Sequence, residues 1–418
     1  MTRHLISLIW NRKRHNFLLA VEIFFSFVVL FGVAFIGLKF ADNWRQPLGF
    51  DIDRVWNVNV TRTGPPRGQA GVFATYQQLV AATRELPQVE SVAAAVTAPY
   101  SDTNWNSDEK LADGRSVEYG VNAATDDFPN VLSLQLVHGR WFSREDDADA
   151  LKPVVINRRL ARTIFGTDEA AGQILRVQHV PDAPPDEPRG DKRVIGVVED
   201  FRKDGELSDP GNFLFHRFRL DVDGTTPTPQ QFPSVLVLRV APGTTAAFEE
   251  TLVKRLQAAS GGWTFNVQPM TEQRHDKLQL FATPLIVIAI IAGFLLLMVA
   301  LGLTGVVWQS VTQRTREFGV RRAHGATMAN VRRQVLGELA VLSTLALLAA
   351  VFLVVQLPFL PFDTREYYLV ASMASERGVF FASIALSVAA IYGLTLLCGW
   401  YPSRLATRIQ PAEALHYE

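Results

Sequence analysis

The sequence has 418 residues, enough for two or three structural units. Its 41 basic and 41 acidic residues give a formal net charge of zero, which argues against nucleic acid as a partner because nucleic-acid-binding surfaces usually carry a basic surplus. With Cys398 as the single cysteine, neither an intramolecular disulfide nor a cysteine zinc cluster can form within these residues. Any water-soluble domain must therefore be stabilised by its own apolar core.

Four apolar runs are long enough to cross a lipid bilayer. The first, Phe17–Leu38, has 22 residues interrupted only by Glu22, and a helix of that length covers about 33 Å, against about 30 Å for a hydrocarbon core. A cleaved signal peptide is the alternative for this run, but its length and the lack of a small-residue cleavage site after Lys39 favour an anchor. The other runs are Phe281–Trp308, Leu336–Leu357 and Gly378–Tyr401.

Charges near the ends of these runs predict the orientation. Arg and Lys dominate the N-terminus, the loop between the second and third runs, and the C-terminal tail. Cytoplasmic segments carry such an excess, and four crossings place these three segments on one side, so both termini are predicted to be cytoplasmic. His4–Trp10 is predicted to be an amphipathic helix in the membrane interface, with a cytosolic extension of the first helix as the alternative.

The predicted segments cover the whole sequence. In chain order they are a cytoplasmic amphipathic helix (1–16), a first transmembrane helix (17–40), an extracytoplasmic domain (41–280), a second transmembrane helix (281–309), a cytoplasmic loop and helix (310–334), a third transmembrane helix (335–357), a short outer loop (358–377), a fourth transmembrane helix (378–401) and a cytoplasmic tail (402–418). The predicted fold class is an α-helical membrane protein with four transmembrane helices and an inserted α+β domain.

The two ends of the inserted domain share a strand–helix–strand pattern. The elements are Val55–Val60, Val72–Leu86 and Val89–Val96 at the start, and Val235–Val240, Thr245–Ala259 and Trp263–Val267 at the end. Two such units predict a ferredoxin-like split βαβ sandwich. The insertion subdomain between them, 98–232, is predicted to be more irregular. It has strands at Val154–Ile156 and Val194–Val198, a helix near Arg159–Phe165 and an exposed Pro-rich loop at Val180–Arg189.

Motifs of catalysis are not found in the sequence. It contains no Gly-Lys pair for a phosphate-binding loop, no His-Glu-x-x-His metal pair and no Gly-x-Ser-x-Gly nucleophile elbow. The acidic cluster Glu145–Asp147 is better explained as solvated loop charges than as a calcium site, because no Asp/Asn/Gly loop pattern accompanies it. We therefore expect no catalytic, metal-binding or cofactor-binding residue here.

Two carboxylates lie inside predicted transmembrane helices, where charges are costly and often functional. Glu22 could pair with a base on another helix or line a polar path, and snorkelling to the cytoplasmic face is the alternative. Glu338 lies near the start of its helix, next to the Arg-rich loop, which favours an ion pair with that loop.

The strongest local signal lies in that loop, at 315–327. Glu317 and Arg321 have the i,i+4 spacing that supports a helix. His324-Gly325 is typical of a helix end, and Thr327 of the cap of the next helix. A short helix on the membrane surface could pass force from a bound protein into the third transmembrane helix. The alternative is that these arginines only satisfy the charge rule and bind lipid phosphates.

These residues resemble the FtsX-like ABC transporter permeases, in particular the macrolide-exporter (MacB-type) branch. Residues 316–327 are similar to the family element Arg-Glu-Ile-Gly-Ile-Arg-Arg-Ala-Leu-Gly-Ala-Thr, with Phe318 and His324 as departures. The tail from Pro402 to Leu415 resembles the family ending. Further resemblance to the MacB-type periplasmic core lies in 139–142, 157–166, Gly172 and 194–201.

The resemblance implies a permease in the bacterial inner membrane that forms a homodimer or heterodimer and binds a cytoplasmic ABC ATPase. The implied coupling residues are Arg316, Glu317, Phe318, Gly319, Arg321, Arg322, Gly325, Ala326 and Thr327. The macrolide exporter carries its ATPase on the same chain as its permease, whereas these residues contain no ATPase. A separate ATPase chain is therefore expected to bind ATP and Mg²⁺, and no cofactor is expected on this chain. Lipids are further expected partners, and a periplasmic adaptor is an open alternative.

Three functions fit this resemblance. The first is export or extraction of a substrate such as a drug, peptide, siderophore or lipoprotein, driven by the ATPase. The second is mechanotransmission that activates a periplasmic enzyme without transport, and the third is ligand sensing by the outer domain. The sequence does not identify a substrate.

Overall fold

The structure is a computed structural model. In it the chain folds into two compact units. The structure describes residues 13–64, 68–149, 151–178, 190–220, 232–313, 320, 327–360, 372–373 and 375–408. One unit, the helical unit, comprises Met1–Asp42 and Ala282–Glu418, and the other, the sheet domain, comprises Asn43–Phe281. The predicted interfacial helix at His4–Trp10 and the Pro-rich loop at Val180–Arg189 lie outside the described residues.

Eight α-helices occur in the described part of the chain. They are α1 Lys13–Trp44, α2 Gln69–Arg84, α3 Phe128–Leu132, α4 Arg158–Phe165, α5 Ala247–Ser260, α6 Met270–Gln313, α7 Met328–Gln356 and α8 Arg377–Arg408. Of these, α1, α6, α7 and α8 are long and apolar enough to cross a membrane. The prediction of four transmembrane helices with an inserted domain is confirmed.

Aromatic packing organises one side of the helical unit. Ile23, Phe27, Phe31 and Phe35 follow one another at intervals of four residues along α1, and all four are buried. Such spacing places them on one face of the helix. The ring of Phe31 meets that of Phe380 in α8 edge to face, with centroids 5.6 Å apart. Since lipid chains are as apolar as these rings, close packing holds the helices together here.

Small and hydroxyl-bearing residues join α7 to α8. The hydroxyls of Ser343 and Thr395, one from each helix, lie 3.2 Å apart in a buried position. Gly399 in α8 packs against α7, because a Cβ at this position would lie 2.7 Å from Leu336 and 2.9 Å from Leu339. Glycine and interhelical hydrogen bonds are the usual means by which membrane helices approach closely.

The sheet domain is built on one mixed sheet. Its described strands are β1 Val55–Thr61, β2 Val89–Ala95, β3 Asn106–Lys110, β4 Ser116–Ala124, β5 Leu136–Gly139, β6 Lys152–Asn157, β7 Ile174–Leu175, β8 Lys192–Val198, β9 Phe213–Arg217, β10 Val235–Val240 and β11 Thr264–Pro269. They run in the order β11-β1-β10-β2-β4-β9-β6-β8-β5, with β3 beside β4 and β7 beside β8.

The strands β11, β1, β10 and β2, with α2 and α5, form the part called the base here. All of its neighbouring strands are antiparallel, and β10 lies between the two strands of the first strand–helix–strand unit. The two helices cover the sheet over a core that includes Trp56, Tyr76, Leu79, Leu252 and Trp263. Valine and leucine alternation in the strands and helical spacing in α2 and α5 produce this two-layer packing.

The insertion, 98–232, is more regular than predicted. It adds β3 to β9 to the same sheet, including the parallel pairs β4–β9 and β6–β8. The helix α4 and the short strand β7 lie between β6 and β8 in the sequence, and the side chain of Asn157 caps the start of α4 by accepting a hydrogen bond from the Leu160 backbone amide, 3.0 Å away. Five of its described strands were not predicted: β5 and β7 are short, β3 is wholly polar, and β4 and β9 contain apolar residues that the sequence analysis did not assign to strands.

Candidate functional site

Of the predicted coupling segment, 315–327, the structure describes Val320 and Thr327. Thr327 caps α7, and its hydroxyl accepts a hydrogen bond from the Asn330 amide, 3.3 Å away. In the next turn the Arg332 guanidinium lies 5.0 Å from the centre of the Trp400 ring of α8, so the start of α7 is held against the end of α8. The remaining residues of the prediction lie outside the described residues: Arg316, Glu317, Phe318, Gly319, Arg321, Arg322, Gly325 and Ala326. Their coupling role stays a prediction.

The two intramembrane carboxylates have different surroundings. Glu22 of α1 is half-buried and lies against α6, where a Cβ added to Gly302 would be 3.0 Å from its Oε2. A glycine at 302 therefore gives the carboxylate room between the two helices. Glu338 of α7 accepts a hydrogen bond of 3.4 Å from Gln334 one turn earlier. Of the arginines in the loop predicted to pair with Glu338, Arg332 and Arg333 lie in the described start of α7, and the others lie outside the described residues.

A further polar cluster lies in the sheet domain, where the chain enters and leaves it. We call residues 43–50, which include the last two residues of α1 and the segment after it, the first connector, and residues 270–281, which begin α6, the second connector. Residues 200–209 of the insertion, which follow β8, are called the junction loop. The junction loop contacts both connectors through buried charged side chains, and sequence reasoning did not single out any of them.

Arg202 of the junction loop binds the first connector. Its side chain is 1 % exposed, and its guanidinium donates to the carbonyls of Asn43, Gln46 and Ser208 at 2.8, 3.1 and 2.6 Å. Its backbone N–H donates to the Leu48 carbonyl at 3.0 Å. A guanidinium has five donors in a fixed fork, so it can tie together several carbonyls at once.

Glu206 of the junction loop binds the second connector. Its Oε1 accepts hydrogen bonds from Nε and a terminal nitrogen of Arg274, at 2.9 and 2.7 Å, and its Oε2 accepts from the Tyr100 hydroxyl at 3.0 Å. Burial would raise the pKa of Glu206, but the hydrogen bonds from Arg274 and Tyr100 hold it below its usual range. Burial of the Tyr100 phenol and the negative charge of the Glu206 carboxylate raise the pKa of Tyr100. The carboxylate is therefore ionised at neutral pH.

Two glycines allow these elements to approach. Gly49 of the first connector has φ +83°, and a Cβ there would lie 1.6 Å from the Asp200 carbonyl oxygen. Gly205 of the junction loop has φ +62°, and a Cβ there would lie 2.3 Å from the Tyr100 ring. Left-handed backbone and backbone-to-backbone contact both favour glycine. The polar cluster thus depends on glycine at both positions.

Comparison with known proteins agrees with this architecture. Residues 18–255 match the MacB-like periplasmic core domain, and residues 289–411 match the FtsX-like permease C-terminal domain. The chain belongs to the FtsX/MacB family of permeases. As a family member it is an inner-membrane protein with several membrane helices.

Curated relatives of this permease include exporters. It is 24% identical over 371 residues to the macrolide export ATP-binding/permease protein MacB of Wolinella succinogenes, covering 87% of this chain and 52% of the relative. It is 24% identical over 359 residues to the pyoverdine export ATP-binding/permease protein PvdT of Pseudomonas aeruginosa, covering 84% and 48%. The permease thus spans about half the length of these relatives. It is also similar to the periplasmic region of MacB from Actinobacillus actinomycetemcomitans, at 13% identity and a TM-score of 0.36, over 56% of this chain and 97% of that one.

Proposed function

We propose that this permease is the membrane subunit of an ABC exporter and transmits the energy of ATP hydrolysis to its sheet domain on the outer side of the inner membrane. The observation that carries the proposal is the order of the two matched domains, 18–255 and 289–411, each of which covers part or all of the membrane helices in its range, so that all four described helices are reached. The names of the relatives, which cite macrolide export and pyoverdine export, support an exported substrate without identifying it.

In this proposal the chain itself is not catalytic. A cytoplasmic ABC ATPase on a separate chain would bind ATP and Mg²⁺ and contact residues 316–327, with both termini of the permease on the same cytoplasmic side. The excess of arginine in that segment and in the tail supports this orientation. A second permease subunit, identical or not, would complete the complex, and a periplasmic adaptor could extend it.

The test is purification of the tagged full chain from native membranes, followed by identification of associated ATPases and assay of ATP hydrolysis. We expect one ABC ATPase to copurify and its activity to rise when a substrate is added, with a macrolide and a siderophore as first probes. Stimulation only by a cell-wall hydrolase would instead support non-transporting mechanotransmission. Absence of any ABC ATPase in the purified complex would contradict both.

Two substitutions test whether the ATPase contacts residues 316–327. Glu317→Lys and Gly325→Val are expected to reduce ATPase copurification at least about tenfold, since the first reverses a charge and the second fills a predicted helix end. Lys254→Gln is the control, because Lys254 forms an exposed pair with Glu250 in α5 of the sheet domain. Unchanged copurification in both test variants would refute the role of residues 316–327.

A further inference from the structure

The insertion has no direct covalent link to either connector. The first connector leads into β1 and the second follows β11, and both strands belong to the base. The insertion begins after β2 and ends before β10. Across the sheet, the register between β2 and β4 consists of one pair, Ala95 and Ala124. Strand pairing therefore gives the insertion only a narrow attachment to the base.

The junction loop attaches the insertion directly to the first connector. Besides the three hydrogen bonds that Arg202 donates to the carbonyls of Asn43, Gln46 and Leu48, the side-chain amide nitrogen of Asn43 donates to the Asp209 carboxylate at 3.0 Å. The ring of Phe50, at the end of this connector, lies 5.2 Å from the Phe201 ring and 6.1 Å from the Tyr100 ring. Phe50, Tyr100 and Phe201 belong to one buried apolar cluster. Polar bonds and apolar packing thus hold the same surfaces together.

The second connector reaches the same place through Arg274. Its guanidinium binds Glu206 and also lies 5.0 Å from the centre of the Trp44 ring in the first connector. One helical turn later, Lys277 donates to the Ser101 carbonyl at 3.1 Å and pairs with the Asp102 carboxylate at 3.1 Å. Arg274 is therefore in contact with the junction loop and the first connector together.

We propose that the junction loop joins the two connectors and the insertion into one cooperative unit, with Arg202 and Glu206 as positioning residues. Glu206 fixes Arg274, and Arg274 in turn covers Trp44, so loss of the Glu206 contact releases both connectors. If only one of these contacts opened, a buried charge would be left without its partner, which costs free energy. Partly open arrangements are therefore disfavoured. The proposal rests on the proposed function only in that ATP-driven movement of the connectors would then move the insertion.

The insertion provides a matched control for this proposal. Glu109 in β3 accepts hydrogen bonds from the Lys192 ammonium, at 2.5 and 2.7 Å, and from the Tyr119 hydroxyl. Like Glu206, it is a carboxylate between a cation and a tyrosine, and its side chain is 12% exposed against 6% for Glu206. Glu109→Gln and Glu206→Gln therefore make the same chemical change at two comparable places, only one of which faces a connector.

The experiment is hydrogen–deuterium exchange with mass spectrometry on the full chain in lipid nanodiscs, without ATPase or nucleotide. For Glu206→Gln we expect exchange to rise about tenfold in residues 200–209, in the second connector and also in the first connector, which Glu206 does not touch in the described contacts. Glu109→Gln is expected to raise exchange only around β3, β4 and β8, which carry Glu109, Tyr119 and Lys192. Arg274→Lys keeps the charge but not the forked contact, so its increase should be smaller than that of Glu206→Gln.

The first connector decides the outcome. If Glu206→Gln accelerates exchange only in the second connector and the junction loop, or if Glu109→Gln accelerates the first connector equally, the cooperative unit does not exist. A second arm adds the ATPase and compares exchange of the insertion with and without trapped nucleotide. If the unsubstituted permease shows no nucleotide effect, the proposed function fails while the first arm still decides the cooperative unit.

Discussion

Replacing Gly49 by alanine should destabilise the sheet domain more than the same change at another left-handed glycine. Gly49 and Gly243 both have φ +83°, so alanine has the same backbone strain at each. They differ in their surroundings. A Cβ at Gly49 would lie 1.6 Å from the Asp200 carbonyl oxygen and 2.7 Å from its carbonyl carbon, whereas nothing lies within 4 Å at Gly243.

The difference between the two variants therefore isolates the contact. The left-handed backbone conformation destabilises alanine by about 1–2 kcal/mol. Alanine also restricts the unfolded chain, which stabilises the folded state by about 0.4–1 kcal/mol. Both effects are the same in the two variants. At Gly49 the backbone of the junction loop must also move, and overpacking of this kind costs about 1–3 kcal/mol. Gly49→Ala should thus lose about 1–3 kcal/mol more stability than Gly243→Ala, by the same estimate.

Thermal unfolding of the full chain in detergent measures this difference. Trp56, Trp141 and Trp263 are buried in the sheet domain, so tryptophan fluorescence follows its unfolding. For a domain of this size, 1 kcal/mol shifts Tm by about 2–4 °C, which places Gly49→Ala about 2–12 °C below Gly243→Ala. Equal Tm values for the two variants would refute the close approach of the first connector to the junction loop.

Three other changes test the remaining structure. Asn157→Ala should destabilise the sheet domain by about 2–4 kcal/mol in urea unfolding, because its oxygen accepts from two backbone amides and its nitrogen donates to a carbonyl. Gly399→Ala should lower the detergent resistance of the helical unit, while Gly393→Ala, with nothing within 4 Å, should not. Because the pKa of Glu206 is lowered on folding, its stabilisation is complete above its unfolded pKa of about 4.3 and is lost as pH falls through the lower folded value. The stability difference between Glu206→Gln and the unsubstituted chain should therefore shrink below about pH 4, and a constant difference would contradict the ionised carboxylate.

The base of the sheet domain was predictable because its pattern is local. The predicted strand Val235–Val240 is found with the same bounds, and the helix predicted at Thr245–Ala259 is found at Ala247–Ser260. Apolar alternation and helical spacing carry this information within a few residues. The strand β3, with the sequence Asn-Ser-Asp-Glu-Lys, has no apolar residue. Its conformation depends on pairing with β4, which a local pattern cannot reveal.

The junction loop was not predictable for a related reason. Arg202 and Asn43 are 159 residues apart in sequence, and Glu206 and Arg274 are 68 apart. Each residue, taken alone, is typical of a solvated loop or a helix start. Only the fold shows that Arg202 and Glu206 are both buried. The candidate coupling residues at 316–327 are the opposite case, since the sequence singles them out and all but Thr327 and Val320 lie outside the described residues.

The sheet topology also limits which movements the connectors can pass on. The first connector leads into β1 and the second begins at the end of β11, and these two strands are paired antiparallel from Trp56 and Pro269 to Thr61 and Thr264. Pulling the connectors apart would break this ladder, whose hydrogen bonds form a regular series. A displacement common to both connectors breaks none of them and is carried to the insertion by Arg202 and Glu206. We therefore expect the sheet domain to respond to a shared displacement of α1 and α6 and to resist their separation.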